Sequence, residues 1–92
     1  MKVYLVCYDI ADDALREEVS TILGEYGERV QRSVFEVALR MDTDLDRLRG
    51  RLRTVLGDTP EVRLYRLCEN CRGESFTLLD EPIAVFPSTI IV

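Results

Sequence analysis

The order of hydrophobic patterns along this chain predicts an α+β domain, an antiparallel sheet with two helices on one of its faces. Three observations carry that expectation. A short apolar run, Val3-Tyr4-Leu5-Val6-Cys7-Tyr8, ends at the carboxylate of Asp9 and is followed at once by a helix start. Residues 12–27 and 42–57 place apolar side chains at helical spacing. Residues 29–41 and 61–67 alternate instead, as half-buried strands do.

The first run is too short to stand as a helix, and its Val and Tyr content reads as a strand covered on both faces. Asp9 then falls at the rim of the core, where a metal-binding, catalytic or helix-capping carboxylate is placed. Asp12 or Asp13 caps the helix that follows, and both put negative charge at the positive end of its dipole. With the cap supplied by them, Asp9 is left without a structural task. Leu15, Val19, Ile22, Leu23 and Tyr26 share one face of that helix. Gly24 weakens its last turn, and Gly27 is placed to cap its end.

Residues 29–41 contain two alternating sets, Val30, Arg32, Val34, Glu36, Ala38 and Gln31, Ser33, Phe35, Val37, Leu39. The second set is polar first and apolar later, so the inward face changes partway. That predicts two short strands with a break near Ser33-Val34, although no Gly or Pro marks a turn. Asp42, Thr43 and Asp44 offer caps for the second helix, Leu45, Leu48, Leu52, Val55 and Leu56 form its stripe, and Gly57 ends it. The rest of that helix carries Arg47, Arg49, Arg51 and Arg53, like charges at i,i+4 spacing. They read either as a solvated face or as a surface that contacts nucleic-acid phosphate.

Pro60 precedes an alternating strand with Val62, Leu64 and Arg66 on one side. Residues 68–75 read as a loop, and residues 76–79 and 83–86 as short strands. The chain ends in Thr89-Ile90-Ile91-Val92, an apolar tail expected to pack on its own domain or to extend a partner's sheet. Strand–helix–strand–strand–helix–strand is the split βαβ, ferredoxin-like pattern. The expected organisation is one domain over residues 1–92, with a core over about 1–67 and a C-terminal exchange segment over about 75–92. The sheet face opposite the helices needs a cover, and pairing two such sheets in a homodimer is the simplest one.

Composition narrows the chemistry. Ninety-two residues support a single modest core, and 47% hydrophobic with 32% charged content belongs to a folded chain. No apolar run approaches the ~18 residues of a membrane span, and the N-terminus lacks a signal-peptide pattern, so a cytoplasmic protein is expected. A net charge of −5 argues against a general nucleic-acid binder. Lys2 is the sole lysine, and every other basic residue is Arg, which suits bidentate contacts to phosphate or carboxylate. Histidine is absent, which excludes Ser–His, Cys–His and His–metal chemistry within the chain. Carboxylates, Arg, Tyr and a metal remain. Cys7 reads as a small buried hydrophobe. Cys68-Glu69-Asn70-Cys71 is a single C-x-x-C, half of a four-ligand zinc site, and reads as a loop dithiol without a function.

With these motifs in place, the chain resembles the CRISPR-associated Cas2 family, small ferredoxin-like proteins of spacer acquisition. The resemblance is carried by Tyr8-Asp9-Ile10, by Asp12-Asp13 with Arg16, and by Tyr26-Gly27-Glu28-Arg29-Val30-Gln31. Ser33-Val34-Phe35-Glu36 and Val62-Arg63-Leu64-Tyr65 complete it, over roughly residues 1–67. It implies a homodimer whose sheets face each other, each chain's C-terminal strand joining the other's sheet. It also implies a Mg²⁺- or Mn²⁺-dependent endonuclease acting on phosphodiester bonds of RNA or DNA, and partnership with the Cas1 integrase. By matching positions, Asp9 from both subunits is the implied metal ligand, with Tyr8, Arg16, Arg29 and Phe35 around the cleft. Leu15 before Arg16, with Glu17 and Glu18 after it, departs from the more basic pattern of relatives. Alternatives are a non-catalytic dimeric bridge between integrase and duplex DNA, and a small ligand-sensing ferredoxin-like dimer.

Overall fold

The computed structural model describes residues 1–86. The expected tail Thr89-Ile90-Ile91-Val92 lies outside them. The elements run β1 (Lys2–Tyr8), α1 (Asp13–Gly24), β2 (Gly27–Gln31), β3 (Val34–Leu39), α2 (Asp44–Leu56), β4 (Val62–Leu67) and α3 (Glu69–Gly73). The four strands form one antiparallel sheet in the order β2-β3-β1-β4. That is the ferredoxin-like arrangement, with β1 interior and β2 and β4 at the edges.

Register assigns the faces. Tyr4 and Val6 lie opposite Val37 and Phe35 on β3, and Val6 and Tyr8 lie opposite Leu64 and Val62 on β4. These residues join Val19, Leu23 and Leu48 of the two helices in one core. Each fully covered Leu or Val contributes about 1.5–3 kcal/mol. The opposite face carries Val3, Leu5 and Cys7 beside Ala38, Glu36 and Val34. Here β1 is not sealed on both sides: Leu5 and Cys7 are only half-buried.

The helix ends follow local chemistry. The Asp12 carboxylate accepts from Leu15 N–H at 3.0 Å and caps α1. Asp44 accepts from Met41 N–H at 3.0 Å in front of α2, while Thr43 holds the cap position without a side-chain bond. Gly57 closes α2 at φ 74°, a conformation suited to glycine.

Three expectations need correction. Gly27 is not the cap of α1, because Glu25 fills that position in right-handed helical geometry. Gly27 instead opens β2, where a Cβ would stand 1.9 Å from the Glu36 carbonyl oxygen. Residues 68–75 are not all loop, since one helical turn fits there with Cys68 as its cap. Residues 76–79 and 83–86 are not strands in the described chain, where their pairing is limited to a lone bridge between Phe76 and Pro82. This segment folds back on the open sheet face, where Ala84 N–H donates to the Glu36 carboxylate at 3.0 Å. The expected break between strands is confirmed, with Arg32 and Ser33 forming the turn.

Candidate functional site

The sequence-predicted residues gather at the C-terminal end of β1, on two sides of the sheet. Tyr8 points into the helix-side core and is buried, and its hydroxyl hydrogen-bonds the Ser20 hydroxyl at 2.8 Å. Ser20 also accepts from Arg29 Nη2 at 2.5 Å. The Arg29 guanidinium lies 5.4 Å from the Phe35 ring centroid, a cation–π contact. Phe35 in turn packs against Tyr8 with ring centroids 6.3 Å apart. Tyr8, Ser20, Arg29 and Phe35 therefore brace one another. Phe35 is core, 3% exposed beneath Arg29, so it is not available to stack on a base.

Arg16 serves the loop after β1. Its Nη1 donates to the Ile10 carbonyl at 3.0 Å, and its Nη2 pairs with Asp13. The guanidinium thus ties the residue next to Asp9 back onto α1. Arg16, Arg29 and Arg32, with Ser20, Phe35 and the carboxylates of Asp13 and Glu17, line an open groove of about 610 Å³ on this side.

Asp9 stands apart from them. The ladder continues through it, because Tyr8 N–H donates to Ser33 O at 3.1 Å and Asp9 N–H to Glu61 O at 3.0 Å. Strand alternation therefore sets Asp9 on the face opposite Tyr8, with Leu5 and Cys7. It is exposed, and its carboxylate has no hydrogen-bond or ion-pair partner among the described residues. No group of three or more His, Cys, Asp or Glu among the described residues could hold a metal ion. The Asp9 carboxylate is by itself a poor Mg²⁺ site, because Mg²⁺ prefers octahedral oxygen ligation.

The four arginines of α2 divide. Arg51 makes a bidentate pair with Glu25, at 2.9 and 2.8 Å, and sits 5.9 Å from the Tyr26 ring centroid. The Arg51 guanidinium holds the Glu25 carboxyl below its ordinary range. Arg47 pairs with Asp44 and Arg53 with Asp58, both at 3.3 Å. Among the described residues Arg49 has no carboxylate partner.

Sequence reasoning missed Ser20 and Arg32. Ser20 follows Arg16 by four residues, so the two share a helix face, but its bonds to Tyr8 and Arg29 span strands that spacing does not connect.

The comparisons with known proteins agree with this architecture. Residues 1–75 match the family model described as CRISPR associated protein Cas2. A Chloroflexus aurantiacus protein named CRISPR-associated endoribonuclease Cas2 is 37% identical over 81 residues, covering 86% of each chain. A Thermus thermophilus protein named CRISPR-associated endonuclease Cas2 is 47% identical over 66 residues, covering 70% of this chain and 71% of its own. Among solved structures, a chain of a partial Cas6-RT-Cas1–Cas2 complex superposes with a TM-score of 0.84 at 31% identity. That match covers 94% of this chain and 100% of the other. The chain belongs to the CRISPR-associated protein Cas2 family.

Proposed function

We propose that the protein acts in CRISPR spacer acquisition as a homodimeric, Mg²⁺-dependent endonuclease that hydrolyses phosphodiester bonds of RNA or DNA. The observation that carries this reading is Asp9, a carboxylate without a partner among the described residues, at the end of an interior strand and on the face the helices leave open. Two copies meeting through that face bring two Asp9 side chains to one site, with Mg²⁺ or Mn²⁺ as the resident cation. Such a cation supplies Lewis acidity toward a phosphate oxygen and a more acidic bound water. The chain's own residues do the rest. Asp9 supplies the ligand oxygens. Arg16 fixes the loop that carries Asp9, while Tyr8, Ser20, Arg29 and Phe35 hold the end of β1 rigid. Arg29 and Arg32 offer positive charge along the helix-side groove to a nucleic-acid backbone.

Two further features support the dimer. Leu78 and Leu79 are 99% and 80% exposed, more apolar surface than a monomer usefully leaves in water. The edge strand β4 borders a groove of about 480 Å³ in which Leu52, Leu56, Val62 and Leu64 lie beside Arg49, Arg53 and Asp58. That edge suits a partner's C-terminal segment joining as an added strand. The setting is the cytoplasm, where the nucleic acid and the Cas1 partner meet.

The test is incubation with single-stranded RNA and with duplex DNA, with Mg²⁺ or with EDTA, for wild type and Asp9→Asn. Cleavage should fall to background in the variant and in EDTA. Cleavage that survives both would remove Asp9 and the metal from the mechanism. A second reading, a non-catalytic bridge between Cas1 and duplex DNA, draws on Arg49 of α2, which has no carboxylate partner among the described residues. It expects Asp9→Asn to support spacer integration undiminished.

A further inference from the structure

Cys68 and Cys71 lie outside the site above, and both are exposed. Cys68 caps α3 in extended geometry, φ −69° and ψ 163°, and the chain then turns helically so that Cys71 returns beneath it. Cys71 N–H donates to Cys68 Sγ at 3.3 Å. That bond favours the Cys68 thiolate. Cys68 is held below the ordinary thiol range, first by the Cys71 thiol, then by backbone N–H groups and the charge of Arg66. Cys71 is pushed above it, first by Cys68 and further by Glu74. The asymmetry suits one attacking and one resolving sulfur.

We propose that Cys68 and Cys71 form a redox-active dithiol that exchanges with low-molecular-weight disulfides, Cys68 attacking and Cys71 resolving. The Cys68 thiolate attacks one sulfur of the disulfide, forming a mixed disulfide and expelling the other half as a thiolate. Cys71 loses its proton, attacks Cys68 Sγ, and releases the second half. The balance is one protein dithiol and one small disulfide giving one protein disulfide and two small thiols. A disulfide needs Cβ atoms about 3.5–4.5 Å apart. Cys68, in extended cap geometry, already turns its sulfur toward the start of Cys71, so closure takes place within a single exposed turn. A metal site fits these residues less well, because two thiols make half of a tetrahedral set. No third His, Cys, Asp or Glu joins them among the described residues. Cys7, half-buried in β1, is the internal control.

The experiment treats the full chain with glutathione disulfide and reads intact mass and peptide maps. Wild type should lose two hydrogens, keep no adduct, and yield a Cys68–Cys71 cross-link. Cys71→Ser should accumulate one stable glutathione adduct on Cys68. Cys68→Ser should form its adduct on Cys71 more slowly, because only the sulfur at position 68 receives the backbone N–H of residue 71. Cys7→Ser should behave as wild type. An equal rate for the two variants, or no adduct on Cys68 in Cys71→Ser, overturns the assignment. So does a wild-type chain that resists oxidation and instead binds one Zn²⁺ per two chains.

Discussion

Adding one methyl group at Gly27 should damage both stability and the site. An alanine Cβ there would lie 1.9 Å from Glu36 O and 2.6 Å from Val37 Cα, both backbone atoms that cannot swing aside. Relief demands that β2 move from β3 by about 1 Å or more, since separations below 3.0 Å do not persist for a Cβ. A shift of that size breaks the Gly27–Val37 pairing and the neighbouring bond from Ala38 N–H to Tyr26 O, now 3.0 Å. Two lost backbone bonds cost about 1–3 kcal/mol, and residual crowding adds about 1–3 kcal/mol. The total, about 2–4 kcal/mol after partial relaxation, is a large share of a domain's stability. For a chain of this size it corresponds to a Tm lower by about 10–25 °C. Urea and thermal unfolding at matched protein concentration measure it, with Gly24→Ala as the control. Nothing lies within 4 Å of a Cβ at Gly24, and alanine there gains about 0.5–1 kcal/mol from helix preference. Because Arg29 follows two residues later, the same shift draws its guanidinium from Phe35 and Ser20. Nuclease activity should therefore fall even well below the new Tm. A Gly27→Ala protein as stable as wild type would refute the close approach.

Other perturbations act through charge. Glu25 has its pKa lowered by Arg51, so this pair stabilises the fold above the ordinary carboxylate value of 4.5 and loses its effect as pH falls through the lower folded value. Arg51→Ala should reduce the urea midpoint more at neutral pH than in strong acid, where only the contact with Tyr26 remains to be lost. Glu36 shifts the opposite way, raised first by burial, against the Ala84 N–H, and further by Glu28 directly opposite on β2. Its contribution is full below 4.5 and is lost as pH rises through the folded value. Glu36→Gln, which still accepts from Ala84, should flatten that fall in urea midpoints as pH rises above 4.5. Arg49→Ala should lower the salt slope of duplex-DNA binding by about one, while Arg51→Ala should lower it less, because Arg51 is already committed to Glu25.

The parts of the fold that repeat regularly were legible in the sequence, and the parts built on single contacts were not. Leu15, Val19, Ile22 and Leu23 announce α1 because each helical turn repeats the same choice. The switch from polar Gln31 and Ser33 to apolar Phe35 and Val37 located the turn between β2 and β3 without a glycine to mark it. Gly27 misled because a glycine soon after a helix suggests a cap, whereas here the need is for space against Glu36. Helix α3 is too short for periodicity to register. Residues 76–86 carry strand-like composition, but their pairing partners are not supplied by this part of the chain. At the site, Asp9 was found through its position, and its separation from Tyr8 needed only the alternation of a strand. The bracing of Tyr8 by Ser20 and Arg29 joins residues 12 and 9 apart on different elements. Nothing in their spacing encodes it.

The placement of Tyr8 and Asp9 on opposite faces constrains how this gene can change. Substitutions within β1 alter one face at a time. A single-codon insertion or deletion upstream of Tyr8 shifts the whole parity of the strand. It would turn the carboxylate of Asp9 toward apolar Val19 and Leu23, and would expel Tyr8 from Ser20 into solvent. The length of β1 is thus inherited in steps of two, and lineages of this protein can drift in residue identity along the strand far more freely than in residue count.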